Sequence, residues 1–253
     1  MIRLSQDSDA FLSAVDEIGG NDPFACRVCA LCRSYAPSLP FVDYWLTADE
    51  AGQVNGAIAR NGASFLLYMT DRSELREVAS FLHMAGAAQV LCDGRYVLEG
   101  FAREKTGAVM VTKQPAAVTG DCPIIEPDIR AVHALLMTCA DRDFCPPAFE
   151  DFYVDVSHRL RHGTLRLCGT NANGALASVA MTVAESEDCA VLGAVACHPD
   201  HRRRGLGTAA VSALVNRLVS EGKTVYLHRA RGVSEAFYRR MGFAPCGTWR
   251  EYE

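Results

Sequence analysis

The sequence lacks the long apolar segments and the positive charge that are typical of membrane proteins and nucleic-acid-binding proteins. No stretch reaches the roughly 18 apolar residues that a membrane-spanning helix requires. The first residues have neither the basic region nor the apolar region of a secretory signal. The formal net charge is −5 and the isoelectric point is about 5.8. Because polyanions and anionic membranes bind to basic surfaces, we expect no nucleic-acid or membrane partner and a cytoplasmic location.

The cysteines lack the paired spacing of a disulfide framework and of a complete metal motif. There are eleven, an odd number, which suits a reducing compartment where Cys serves as a small buried apolar residue. Cys26, Cys29 and Cys32 have the spacing of an iron–sulfur run, but Ala36 stands where that run has its fourth Cys. The same spacing places the three thiols on one face of a helix. We expect buried core residues and no metal, with a partial metal site or a redox thiol as the alternative.

The length and the hydrophobic pattern predict an α/β protein with two halves. The chain has 253 residues, of which 49% are apolar and 22% are charged, a normal globular balance. A proline-rich segment, residues 112–127, separates them. The first half reads as two helices, three strands, a helix and a strand; the second reads the same and adds a helix and a strand. We expect a mixed sheet flanked by helices in each half, with 1–117 a degenerate copy of 118–253 or a domain of unrelated origin.

Two glycines stand between a predicted strand and a predicted helix in the second half. The strand covers residues 190–197, the helix begins at about Gly205, and Arg202 and Gly207 lie nearby. Glycine lets a ligand approach without meeting a Cβ, and free N–H groups at a helix N-terminus attract phosphate. The turn lacks the Lys and the four-residue gap of a P-loop, and Ala210 replaces the third glycine of the dinucleotide fingerprint. The implied ligand is a phosphorylated cofactor.

The turn belongs to the first of two linked motifs. They read Val195-x-Cys197-x-Pro199-x-x-Arg202-x-x-Gly205-x-Gly207 and Phe237-Tyr238-x-x-x-Gly242-Phe243. At this spacing they resemble the motifs of the GNAT superfamily of acetyl-CoA-dependent N-acyltransferases, and the resemblance covers residues 123–253. It implies a GNAT-like fold for that half and acetyl-CoA as the co-substrate. Because the first half repeats the order of elements, we expect a tandem GNAT-like fold.

The resemblance implies a role for each residue of the motifs. Residues of the β strand would bind the pantetheine arm of acetyl-CoA and those of the turn its pyrophosphate: Val195, Ala196, Cys197, Arg202, Arg203, Arg204, Gly205, Leu206, Gly207 and Thr208. A backbone N–H of the strand would stabilise the oxyanion. Tyr238 would protonate the departing thiolate as general acid, or would simply pack beside Phe237. Where the family often has Asn, seven residues before Tyr238, this chain has Arg231.

Several groups are candidates for the base that deprotonates the acceptor amine. Glu185 and Glu187 follow the strand before the cofactor strand, in a polar turn where we expect solvated side chains. His228 is either a base or a packed histidine. His198 and His201 flank the phosphate turn and are expected to face solvent or cofactor. A chain of water molecules is a further alternative.

The first half lacks a second phosphate turn. Its corresponding segment, residues 68–74, has no glycine, and Asp71 and Glu74 would repel a pyrophosphate. We therefore expect one cofactor site and an N-acetyltransferase that modifies a primary amine of a small molecule or peptide. The alternatives are a GNAT-like module that binds acetyl-CoA without turnover and, further off, an iron–sulfur or redox protein. In this family, variable helices and loops determine which acceptor binds. The sequence is compatible with a homodimer.

Overall fold

A computed structural model describes residues 1–19, 21–102, 104–117, 122–141, 144–230 and 235–253. The chain forms two compact units: one comprises Met1–Met110, His228–Val233 and Pro245–Glu253, and the other comprises Val111–Leu227 and Ser234–Ala244. The predicted boundary after residue 117 concerns sequence repeats and stays a prediction. The compact units divide the chain differently because its last strand pairs within the first unit. Across the described ranges, no helix is both long enough and apolar enough to cross a membrane.

The first unit is a mixed sheet with helices, numbered along the chain. Its strands are β1 (Ile2–Ser5), β2 (Val42–Ala48), β3 (Val54–Asn61), β4 (Ser64–Met69), β5 (Gln89–Asp93), β6 (Glu104–Thr112) and β12 (Ala244–Tyr252). Its helices are α1 (Ser8–Gly19), α2 (Pro23–Ser34) and α3 (Leu75–Met84). The strand order is β1-β2-β3-β4-β5-β12-β6. The β4–β5 pair is parallel, whereas β12 runs antiparallel to β5.

Helix α2 begins where the sequence predicts it. The Asp22 carboxylate accepts hydrogen bonds from the N–H groups of Phe24, at 2.8 Å, and Ala25, at 3.2 Å, and so caps the helix. Three thiols are buried along this helix: Cys26, Cys29 and Cys32. The predicted core helix is therefore confirmed. Among the residues that the structure describes, no three His, Cys, Asp or Glu side chains are placed to hold a metal ion.

The second unit is also a mixed sheet flanked by helices. Its strands are β7 (Ile124–Ile125), β8 (Leu167–Ala172), β9 (Ala175–Glu185), β10 (Cys189–Cys197) and β11 (Thr224–Ala230), in the order β11-β10-β9-β8-β7. Its helices are α4 (Ile129–Thr138), α5 (Phe149–Arg161), α6 (Leu206–Ser220) and α7 (Glu235–Arg239). The β10–β11 pair is parallel and the other pairs are antiparallel. The predicted helices and strands are confirmed, with ends shifted by a few residues.

Helices cover both faces of the second sheet. Val132 of α4 and Phe152 of α5 pack in one cluster with Val179 and Met181 of β9. Side chains alternate between faces along a strand, so Ser178 of β9 points to the opposite face. There its hydroxyl donates a 2.9 Å hydrogen bond to a carbonyl in the first turn of α6. Helices α4 and α5 therefore lie on one face and α6 on the other.

Candidate functional site

Strand β10 has a bulge just beyond its pairing with β11. The parallel register joins residues 189–192 to residues 224–227, and the register with β9 is broken between Gly193 and Ala196. Ala194 has φ of 44°, which strains a non-glycine residue by about 1–2 kcal/mol. Residues 193–195 are partly exposed, whereas Leu192 and Ala196 are buried. The bulge thus leaves a short stretch of strand backbone accessible, and such strain concentrates at functional sites.

The loop after β10 leads to a row of N–H groups at the start of α6. It contains a turn of 3₁₀ helix, Pro199–His201, followed by Arg203 with φ of 61° and Gly205 with φ of 84°. Gly205 caps the helix without a side chain. The N–H groups of residues 206–208 precede the first i→i−4 hydrogen bond of α6, which joins Ala209 N to Gly205 O at 2.9 Å. With the helix dipole behind them, these groups suit a phosphate.

Glycine stands at positions 205 and 207 of the loop for different structural reasons. A Cβ on Gly205 would meet nothing within 4 Å, so only the left-handed backbone requires glycine there. Gly207 has ordinary helical backbone, and its Cβ would lie 3.7 Å from Cys197 Cβ and 3.9 Å from Phe237 Cζ. A methyl group fits at position 207, but a longer side chain does not fit in that direction.

Arg202 holds the end of β10 in place. Its Nε donates a hydrogen bond to the Cys197 carbonyl at 3.1 Å, and the Cys139 thiol donates to the same oxygen at 3.4 Å. Burial raises the pKa of the Cys197 thiol, although Arg202 and the Gly207 N–H act against this rise. All three arginines of the loop are exposed, and among the described residues only Arg202 also donates a hydrogen bond to the strand.

Helix α7 places Phe237 and Tyr238 beside the loop. Tyr238 is buried, with its ring edge-on to Phe237 at 5.0 Å and to Phe243 at 6.0 Å between centroids. Its carbonyl accepts hydrogen bonds from Met241 N and Phe243 N. Because Phe237 reaches the space next to Gly207, the two sequence motifs meet in the structure. Arg231, the departure from the family pattern, lies outside the described residues.

Glu185 is not the solvated turn residue that the sequence suggested. It is buried, its Oε2 lies 2.8 Å from Arg166 Nη2, and its Oε1 accepts from the Thr182 hydroxyl at 2.9 Å. Arg166 also pairs with Glu221, and this partner raises the pKa of Arg166. The interpretation was wrong because Arg166, distant in sequence, covers the carboxylate. Glu187 is exposed, as expected.

His228 is a packed histidine. It follows Leu227, the last residue of β11 that pairs with β10. Its ring lies 5.1 Å from that of Phe24 and stacks on Trp249 at 6.3 Å. Its Nε2 is buried and has no partner among the described residues. Burial, assisted by the nearby Arg27, holds the pKa of His228 well below 6.5, so its imidazole is neutral at physiological pH.

His198 and His201 lie on either side of the 3₁₀ turn, and both are partly exposed. Their rings are 5.4 Å apart. His198 Nδ1 accepts a 3.3 Å hydrogen bond from Asp200 N and caps the turn. These histidines thus shape the loop that leads to α6.

The corresponding turn in the first unit is closed by its own side chains. The Glu74 carboxylate accepts from Arg76 N at 3.3 Å and caps α3. Asp71 Oδ1 accepts from the Tyr96 hydroxyl at 3.2 Å and lies 3.5 Å from Arg95 Nη1. An N-terminus that is occupied by its own carboxylate disfavours a phosphate. The single cofactor site stays a prediction.

The comparison with family models covers the elements that form this site. Residues 129–243 match the family described as Acetyltransferase (GNAT) family. This match covers 115 of the 253 residues. Two strained residues of this site, Ala194 and Arg203, were not predicted from the sequence. Of these, only the bulge has a sequence signal, because an isolated glycine such as Gly193 inside a strand often marks one.

Solved structures extend the similarity to the whole chain. A tandem GNAT protein from the clavulanic acid biosynthesis pathway, solved without AcCoA, is 17% identical with a TM-score of 0.59, over 100% of this chain and 98% of that one. A Drosophila protein is 14% identical with a TM-score of 0.67, over 100% of this chain and 98% of that one. An acetyltransferase of the GNAT family from Colwellia psychrerythraea is 10% identical with a TM-score of 0.62, over 100% of this chain and 99% of that one. These likenesses show the tandem GNAT fold. No curated protein matches the chain.

Proposed function

We propose that this protein is a GNAT acetyltransferase that transfers the acetyl group of acetyl-CoA to a primary amine of a small molecule or peptide. The observation that carries the proposal is the succession, in one compact unit, of a bulged strand with accessible backbone and a helix N-terminus whose first N–H groups have no intrahelical partner. The family match at residues 129–243 supports acetyl transfer.

The residues present fit acetyl-CoA. The N–H groups of residues 206–208 would hold the pyrophosphate, because an anion completes their hydrogen bonds and Arg203 and Arg204 add positive charge from solvent. Val195, Ala196 and Cys197 would pair with the amides of the pantetheine arm as an added strand would. This edge is open in the described register, since β11 pairs only with residues 189–192 of β10.

The backbone and Tyr238 would supply the chemistry. A backbone N–H at the bulge would donate to the thioester oxygen and stabilise the negative charge that develops as the amine attacks. The Tyr238 hydroxyl would then give its proton to the thiolate that leaves. The acceptor amine must lose a proton before or during attack, and water is the base that we favour, because Arg166 holds Glu185 and His228 has a low pKa.

Thiol release with acetyl-CoA and a panel of amines tests this function. We expect turnover with at least one amine, and a Tyr238→Phe variant that loses on the order of 100-fold in kcat and in kcat/KM together. Its affinity for acetyl-CoA should stay close to wild type, since the ring still packs against Phe237 and Phe243. If the protein binds acetyl-CoA but acetylates no amine, it is a non-catalytic acetyl-CoA-binding module.

A further inference from the structure

Arg159 contacts the second sheet next to the bulge of β10. It projects from α5 on the face opposite α6, and its Nη2 donates a 2.6 Å hydrogen bond to the Val183 carbonyl of β9. The Val183 side chain covers Gly193 so closely that a Cβ there would lie 2.4 Å from Val183 Cγ1. Ala194, the strained residue of the bulge, follows directly. Neighbouring strands are roughly 5 Å apart, so Arg159 stands about one strand spacing from the bulge.

The charge of Arg159 is buried and incompletely paired. Its side chain is only 12% exposed. Its Nη1 lies 3.6 Å from Asp155 Oδ2, beyond hydrogen-bond distance, and Asp155 is itself 39% exposed. Its Nε is buried without a partner in the described part of the chain. A guanidinium has five N–H donors, so several of them are left for another acceptor.

Arg166, in the same unit, pairs with two carboxylates. Its Nη2 lies 2.8 Å from Glu185 Oε2, and its Nη1 lies 2.5 Å from Glu221 Oε1. Glu185 is therefore not available to Arg159, although it lies only two residues after Val183. Burying a charge without a full set of partners is costly, and a ligand that completes the set recovers that cost on binding.

We propose that Arg159 binds an anionic group of the acceptor, so that the acceptor class is an amine with a carboxylate a few bonds away, as in an α-amino acid. The loop between β10 and α6, which would bind the cofactor, occupies one face of the sheet at the bulge, so the acceptor must approach from the other face. That is the face on which Arg159 lies. A guanidinium recognises a carboxylate through paired N–H donors, and the short distance from Arg159 to the bulge matches the short separation of the two groups in an α-amino acid.

This inference rests on the proposed acetyl transfer, and paired acceptors test it. The probes are free α-amino acids and the corresponding α-amino acid amides, assayed by thiol release. For wild type we expect kcat/KM at least 10-fold higher for the acid of a pair, corresponding to one charge-assisted contact. In Arg159→Gln, kcat/KM for the acid and for the amide should become nearly equal, because the KM for the acid rises. The KM for acetyl-CoA should stay unchanged.

Two further variants separate recognition from structure. Arg159→Lys keeps the charge but not the paired donors, so it should keep only part of the preference. Arg161→Gln is the matched control: Arg161 is exposed on the same helix and, among the residues that the structure describes, bonds only to the Ser157 carbonyl. Its replacement should change nothing. The inference is overturned if wild type uses the amides as well as the acids, or if Arg159→Gln keeps the preference for the acids. It is also overturned if Arg159→Gln raises the KM for acetyl-CoA together with the KM values for the acid and for the amide.

A binding measurement keeps the test independent of turnover. In the presence of CoA, the free amino acids should raise the melting temperature of wild type more than their amides do, and Arg159→Gln should lose the difference. Equal effects of acids and amides would reject the carboxylate site. Absence of acetyl transfer to every amine would instead reject the proposed function, with the binding result still deciding the role of Arg159.

Discussion

Replacing each loop glycine by alanine separates a requirement for backbone conformation from a requirement for space. Gly205 has φ of 84° and open surroundings, so Gly205→Ala should lower the free energy of unfolding by about 1–2 kcal/mol through left-handed strain alone. Gly207 is helical and has room for a methyl group, so Gly207→Ala should be neutral or add up to about 1 kcal/mol. The free energies of unfolding of the two variants should thus differ by at least about 1 kcal/mol.

Affinity for acetyl-CoA should follow the same division. The strain in Gly205→Ala is relieved by rotating the N-cap, which would misalign the N–H groups of residues 206–208 and cost at least about 10-fold in affinity. Gly207→Ala should stay within about threefold of wild type. Gly205→Asn is the control, because Asn accepts the left-handed region better than other non-glycine residues, and it should recover most of both losses.

Chemical denaturation and isothermal titration calorimetry on the four proteins provide both quantities. Equal stability of Gly205→Ala and wild type would show that the left-handed N-cap is not a constraint. A Gly207→Ala variant that loses more affinity than Gly205→Ala would refute the assignment of roles to the two glycines.

Two more predictions concern the first unit. Cys26, Cys29 and Cys32 should each tolerate Ala with a loss of about 1 kcal/mol in the free energy of unfolding, measured by denaturation; stoichiometric iron or zinc that is lost in the triple variant would contradict the core assignment. Because the pKa of His228 is depressed in the folded state, the unfolded chain takes up the proton first as the pH falls below about 6.5, so stability should decline there by up to about 1.4 kcal/mol per pH unit and level off below the folded pKa. A His228→Gln variant should lack this part of the slope in pH-dependent denaturation, and an unchanged slope would refute it.

Local signals in the sequence were sufficient for most of the fold. Asp22 and Pro23 predicted the start of α2, and the structure shows the expected cap. Three strands were missed: β1, β6 and β7. Strand β7 is only two residues long, and β6 begins with charged residues and contains Gly107, which weakens the strand pattern. Gly107 is required by packing, since a Cβ there would lie 2.2 Å from the Arg229 carbonyl.

The candidate site was predictable where chemistry follows from spacing. Gly205 and Gly207 lie where the motif predicted a helix start. The bulge at Ala194, the environment of Glu185 and the position of Arg159 were not predictable, because each depends on partners that are distant in the chain. Thus Arg166, which directly precedes β8, covers Glu185, and Arg159 of α5 bonds to the Val183 carbonyl. Such tertiary contacts override the local pattern that marks a residue as solvated.

Acetyl-CoA binding, measured by isothermal titration calorimetry on wild type and on Gly207→Glu, tests the central claim most directly. The N–H row at the start of α6 predicts one acetyl-CoA per chain, and a carboxylate placed at position 207 should weaken binding on the order of 100-fold by repulsion and by filling the space beside Phe237. Two equivalent sites per chain, or a Gly207→Glu variant with wild-type affinity, would contradict the account.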